Sequence, residues 1–116
     1  MRREPRAFLW DVREACERIE EFVAGIGLEE YGVNALVRSA VERQFEIIGE
    51  ALSQLARTDA ALASQVPDHR RIIAFRNVLI HGYAVLDHQL VWRVIQQDLP
   101  GLRAAVNGLL RTPDQT

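Results

Sequence analysis

Four side chains with useful chemistry lie within one eight-residue segment, Arg76-Asn77-Val78-Leu79-Ile80-His81-Gly82-Tyr83. An arginine can hold negative charge that develops on a phosphate, and a histidine can move a proton near neutral pH. Phosphodiester cleavage without a metal ion requires that pair of functions. Because an Arg and a His at this spacing also occur by chance, the prediction depends on the surrounding sequence.

The segment ends a predicted helix that begins after Asp68, the expected N-cap, and stops at Gly82. On a regular helix Asn77 and His81 share a face, whereas Arg76 is rotated from His81 by about 140°. Three arrangements would still unite them: a tightened last turn, an arginine side chain that swings across, or a dimer interface. Otherwise Arg76 is a salt-bridging residue and His81 caps the helix.

Local charge distinguishes this helix from the rest of the chain. Three arginines (Arg70, Arg71 and Arg76) and two histidines stand against one acid in residues 68–83, while the net charge of the whole chain is −2. That acidic total argues against binding nucleic acid without sequence preference. Residues 68–83 thus form a basic segment on an acidic protein.

Other catalytic chemistries find little support. His69, His81 and His88 lack the spacing of metal ligands, and one cysteine cannot build a zinc site, so we expect neither metal nor cofactor. Cys16 lies in a helical pattern and is predicted to be a buried structural thiol.

Two acids of the preceding long helix need an explanation. Glu46 and Glu50 lie one turn apart, and we expect them to line a groove or the surface. If they face inward, they need a partner, and Arg76 is the predicted one.

The apolar periodicity is helical throughout, which predicts an all-α, antiparallel bundle of about four to five helices. We expect one domain over residues 1–111 and a frayed tail at 112–116. The predicted elements are, in chain order, a helix over 5–25, a loop over 25–32 with Leu28 and Tyr31 as apolar anchors, a helix capped by Asn34 and reaching Arg57, a short helical turn over 60–65, the motif helix, a helix capped by Asp87, and a last piece restarted at Pro100.

Composition indicates a cytoplasmic protein. No apolar run approaches the length of a membrane span, and the first residues lack the apolar stretch of a signal peptide. A single cysteine fits a reducing compartment.

The chain resembles the HepT-type toxins, small HEPN-domain ribonucleases of bacteria and archaea. Residues 76–83 match the Arg-x4-His-x-Tyr signature of that family, and the likeness extends to residues 5–9, 40–51 and 91–100. It implies a homodimer in which two motifs meet in one cleft, with Arg76 and His81 as catalytic residues and Asn77 orienting the phosphate. It also implies metal-independent cleavage of an RNA such as tRNA or mRNA. Under this resemblance, Arg70 and Arg71 of the basic segment are possible RNA-binding residues.

The resemblance further implies a partner, a cognate nucleotidyltransferase antitoxin that adds AMP to Tyr83. Bulk and negative charge at that phenol would then block the entry of RNA. Two alternatives remain open: a HEPN dimer that binds nucleotides without cleaving RNA, and a module whose basic segment holds a protein partner. A stacked or packed aromatic is the alternative for Tyr83.

Overall fold

A computed structural model describes residues 3–81 and 87–111, and these residues form helices joined by short connections. Within those two ranges there is no strand, which confirms the all-α prediction. Seven helices are described there rather than four or five. The short helical turn predicted over 60–65 counts as one of them, and another short helix forms within the predicted loop. They are α1 (Pro5–Val23), α2 (Leu28–Val33), α3 (Ala35–Thr58), α4 (Ala60–Ala63), α5 (His69–His81), α6 (His88–Gln97) and α7 (Leu99–Arg111).

The long helix α3 is the centre of the bundle and packs against both α1 and α5, while α1 also packs against α7. The apolar stripe of α1 is buried as its spacing predicts, and so is that of α3. Phe45 of α3 meets Phe75 of α5 edge to ring, with centroids 5.2 Å apart. The motif helix is therefore fixed to α3 by the apolar core.

Several helices begin at the predicted capping residues. The Asn34 side chain accepts the Val37 N–H at 3.0 Å, and the Asp87 carboxylate accepts the Gln89 N–H at 2.8 Å. Pro100 lies in the first turn of α7, where its missing N–H costs nothing. Asp59 caps α4 in the same way, through the Leu62 N–H.

The prediction of a loop over residues 25–32 is wrong in its second half, because α2 begins at Leu28. Two acids in its first turn interact favourably with the helix dipole. Tyr31 is fully buried and packs against Trp92 of α6 in a tilted arrangement with ring centroids 5.3 Å apart, which holds the short helix in place. Leu28, predicted to anchor this segment, is instead exposed. At the preceding junction, α1 ends at Val23 and Gly25 takes a left-handed conformation with φ of 79°.

The start of α5 also differs from the predicted N-cap. Asp68 has φ of 58°, a left-handed conformation that aspartate tolerates, rather than the extended backbone typical of a capping residue. Its backbone carbonyl accepts the Ile72 N–H at 3.1 Å, which opens the helix. Three predictions lie outside the described residues: the helix stop at Gly82, the modification of Tyr83 and the frayed tail at 112–116.

Candidate active site at the crossing of helices α3 and α5

The side chain of Arg76 extends from α5 at a point where that helix lies very close to α3. The residue of α3 that faces it is Gly49, and a Cβ added there would overlap Cβ of Arg76 and lie 2.7 Å from its Cγ. Only a residue without a side chain fits between the two helices at this level. The glycine therefore makes room for the arginine stem.

The guanidinium of Arg76 is held at two of its nitrogens. Nη2 lies 2.8 Å from Oε2 of Glu50, and Nη1 donates to Oδ1 of Asn77 at 3.1 Å. The prediction that Arg76 partners an inward acid is confirmed for Glu50. Glu46, one turn earlier, instead pairs with Arg43 at 3.4 Å.

Glu50 is itself held from the other side. Its Oε1 accepts a hydrogen bond from Nε2 of Gln54, one turn further along α3, at 3.1 Å. Gln54, Glu50, Arg76 and Asn77 thus form one continuous polar chain across the two helices. Sequence reasoning did not single out Gln54, although its i,i+4 spacing from Glu50 was available as a signal.

Arg76 keeps hydrogen-bonding capacity beyond these two contacts. A guanidinium carries five N–H groups, and each Nη of Arg76 makes one of the contacts above. Within the described part of the chain, its Nε is buried without a hydrogen-bond partner. One N–H on each Nη therefore remains for an incoming anion.

His81 is exposed and is the last residue of α5. Because α5 is α-helical up to that residue, Arg76 and His81 are not brought together by a tightened turn within the described helix. Instead the Arg76 side chain reaches over to Asn77, whose position on the helix is about 40° from that of His81. The other two predicted arrangements, an arginine side chain that swings across to His81 and a dimer interface, stay predictions.

A groove of about 490 Å³ opens beside Arg76 between α1, α3 and α5. Its three arginines each pair with an acid of the same groove, so that it holds no surplus positive charge. The pairs are Arg3–Asp11 at 2.6 Å, Arg43–Glu46 at 3.4 Å and Arg76–Glu50 at 2.8 Å. Its apolar lining comes from Phe8, Ile47, Ala51 and Ile80.

Arg70 and Arg71 lie at the opposite end of α5 from His81. They precede Arg76 by about 9 Å and 7.5 Å along the helix axis and are not among the residues that line the groove. Both are exposed, and Arg71 lies 3.3 Å from a carboxylate oxygen of Asp98. The role of these two residues in RNA binding stays a prediction.

The remaining candidates behave as structural residues. Cys16 is fully buried, and burial raises the pKa of its thiol to about 12, which agrees with the predicted inert thiol. The His88 ring lies against Gly32, where an added Cβ would come within 2.7 Å of it.

Among the described residues, no three His, Cys, Asp or Glu side chains gather closely enough to hold a metal ion. None of the described helices has the length and apolar character that crossing a bilayer requires.

Comparisons with known proteins point to one family. A family model described as Ribonuclease HepT-like matches residues 12–109. A Methanocaldococcus jannaschii protein whose name describes it as a candidate RNase is 33% identical over 90% of this chain and 95% of its own length. A Thermococcus cleftensis protein named "Probable ribonuclease HepT" is 34% identical over 89% of this chain and 93% of its own length.

A third relative, from Caldanaerobacter subterraneus subsp. tengcongensis and also named as a candidate RNase, is 32% identical over 92% of this chain and 95% of its own length. No solved structure matches the chain significantly. The family match covers the α3–α5 crossing, the motif helix and the groove residues from Arg43 to Ile80. The chain therefore belongs to the HepT-like ribonuclease family.

Proposed function

We propose that the protein is a metal-independent endoribonuclease, the toxin of a toxin–antitoxin pair, whose catalytic residues are Arg76 and His81. The observation that carries the proposal is the fixed guanidinium of Arg76, bound to Glu50 and Asn77 with N–H groups to spare. In a ribonuclease family, the natural ligand for such a group is the scissile phosphate. Asn77 holds Arg76 and orients that phosphate.

The proposed reaction uses the ribose itself as the nucleophile. A neutral imidazole takes the proton of the 2′-hydroxyl, and the 2′-oxygen attacks phosphorus. The bond from phosphorus to the 5′-oxygen breaks as a protonated imidazole gives its proton to that leaving oxygen. The products are a 2′,3′-cyclic phosphate and a free 5′-hydroxyl, and Arg76 stabilises the negative charge on phosphorus oxygens between these steps.

A homodimer would supply the second imidazole. Each chain carries one motif histidine, while the reaction needs a base and an acid at the same time. Two apolar residues within the motif support contact between chains, since Val78 is 47% and Ile80 37% exposed. In this arrangement both His81 side chains face one cleft.

Inhibition is proposed to act on Tyr83, two residues beyond His81. A nucleotidyltransferase antitoxin would transfer AMP to the phenol oxygen and place a phosphate and a nucleoside close to the cleft. RNA would then meet both negative charge and bulk at the point of entry. The intact mass of the protein purified with and without its antitoxin measures this modification.

The test of the catalytic proposal is cleavage of a tRNA pool by the purified protein in the presence of a chelator. We expect cutting by the wild type, a loss of about 10²–10⁴-fold with His81→Ala and of about 10²–10³-fold with Arg76→Ala. His69→Ala, at the other end of α5, is the matched control and should cut normally. Nucleotide binding without cleavage in the wild type would favour the non-catalytic alternative.

A further inference from the structure

The contact between Arg76 and Glu50 raises a question that the reaction scheme leaves open. A carboxylate next to the arginine that binds phosphate competes with that phosphate for the same cation. Yet Glu50 has a fixed place: it follows Gly49 directly, and Gln54 holds its second oxygen. Something other than charge balance must explain an acid built in at this position.

We infer that Glu50 is a positioning residue, which holds the guanidinium of Arg76 in the orientation that receives the scissile phosphate. This inference rests on the proposed function of Arg76. The arginine lies on the side of α5 that faces α3, and its side chain must turn toward Asn77 to reach the exposed face. Glu50 and Asn77 bind different nitrogens of the guanidinium, which fixes its plane as well as its position.

The hydrogen-bonding pattern fits this role. The carboxylate takes one N–H of Nη2 and leaves the other free, so that the arginine is oriented without being saturated. A ready-made orientation removes a reorganisation step from the reaction. A flexible arginine at the same place would have to find its geometry in each catalytic cycle.

A purely stabilising role for the pair is the competing explanation. The Glu50 side chain is 46% exposed, and ion pairs at such exposure contribute between about 0 and 1 kcal/mol to folding. The two roles predict different kinetics. Removing a positioning carboxylate lowers kcat, while KM stays level or falls, because negative charge disappears beside the bound phosphate.

The experiment compares Glu50→Gln and Glu50→Ala with Glu46→Gln as the matched control. Glu46 is an acid of the same groove, but it pairs with Arg43 and not with Arg76. Cleavage of a defined RNA oligonucleotide is followed in chelator, and kcat and KM are determined separately. We expect kcat to fall about 10–100-fold in Glu50→Ala and about 3–10-fold in Glu50→Gln, whose amide oxygen still accepts from Arg76. Glu46→Gln should stay within about twofold.

The same substitutions in an Arg76→Ala background separate positioning from folding. If Glu50 acts through Arg76, Glu50→Ala has no further effect on residual cleavage once the arginine is absent. An equal loss in both backgrounds would overturn the inference, as would full activity of Glu50→Ala. Either result would leave the proposed function of Arg76 and His81 intact.

A binding measurement keeps the inference testable if the wild type does not cut RNA. A 2′-O-methylated oligonucleotide lacks the attacking hydroxyl, so its affinity is measured without turnover. We expect Glu50→Gln to tighten binding about threefold when Arg76 is present and to leave it unchanged in Arg76→Ala. If Glu50→Gln changes binding only when Arg76 is present but the wild type cuts no RNA, the ribonuclease proposal alone is contradicted. If the effect of Glu50→Gln does not depend on Arg76, the proposed role of Glu50 is contradicted.

Discussion

Arg76 does two jobs that a helical residue rarely combines. Its stem passes through the contact between α5 and α3, while its guanidinium bonds to Asn77 on the outer side of the same helix. Two consecutive residues of α3 make this possible. Gly49 leaves space for the aliphatic stem, and Glu50 receives the charged end.

A second acid of α3, Glu42, gives a prediction about pH. Burial raises the pKa of its carboxyl above the ordinary value of 4.5; Arg38 works against this shift, and Glu46 adds to it. The folded state thus binds the proton more tightly than the unfolded chain. The contribution of Glu42 to the free energy of unfolding is therefore most favourable below the ordinary pKa. It is lost as pH rises through the folded-state pKa.

We expect Glu42→Gln to raise the melting temperature at pH 7, where the wild-type carboxylate is ionised at a cost. The gain should shrink to nothing near pH 3.5, where the glutamate is protonated in both states. Thermal unfolding followed by circular dichroism at both values checks this, with Glu21→Gln on the exposed face of α1 as the control. A gain of equal size at both values would contradict the assignment.

The candidate site was only partly predictable at the level of residues. Arg76, Asn77 and His81 stand out because their side-chain types fit one reaction, and Glu50 is a natural partner for a half-buried cation. The function of Gly49 was not predictable, since it depends on how closely two helices approach. A glycine within a helix is otherwise only a weak point.

The crossing of α3 and α5 is the element that sets the geometry of the site. Gly49→Ala would place a methyl group where the stem of Arg76 lies, so the two helices would have to separate. We expect the free energy of unfolding to fall by about 1–3 kcal/mol, and cleavage to fall with it because Arg76 is displaced. Urea unfolding and the cleavage assay measure the two effects.

Gly101→Ala is the matched control for this substitution. Gly101 lies exposed in α7 with no atom within 4 Å of an added Cβ. Alanine there should stabilise the protein by up to about 1 kcal/mol through helix propensity alone. If Gly49→Ala were as stable and as active as the control, the close packing at the crossing would not matter for the site.

Among the elements, periodicity was sufficient for the long helices and insufficient for the short one. The stripes of α1 and α3 repeat over several turns, so their helical period is unambiguous. The six residues of α2 span less than two turns, and the burial of Tyr31 against Trp92 fixes them. Contacts of that kind lie far apart in the sequence and leave no local pattern.

Charge is the property that matters at the level of the whole molecule. The chain has a net charge of −2, and the three groove arginines are paired with acids. RNA binding must therefore depend on a few local cations. We expect affinity to fall steeply between 50 and 200 mM salt, with a slope set by the small number of phosphate contacts.

The slope in question is that of log affinity against log salt concentration. Arg70→Ala should reduce its size by about one, because the exposed Arg70 guanidinium is a predicted phosphate contact. Arg18→Ala, which removes an exposed arginine from α1, is the control and should leave the slope unchanged. Titration of 2′-O-methylated RNA at several salt concentrations gives both values. An affinity that does not change with salt would mean that phosphate contacts contribute little.

The tight contact at Gly49 also fixes α5 against α3 at one point along its length. Arg76 lies at the close contact with α3, while His81 lies about 7.5 Å further along the axis, at the end of the described helix. Any force applied beyond His81 therefore tilts the histidine through a larger arc than the arginine. Under the proposed mechanism, a partner or a modification acting at that end would stop proton transfer by His81 while Arg76 keeps its contact with the phosphate.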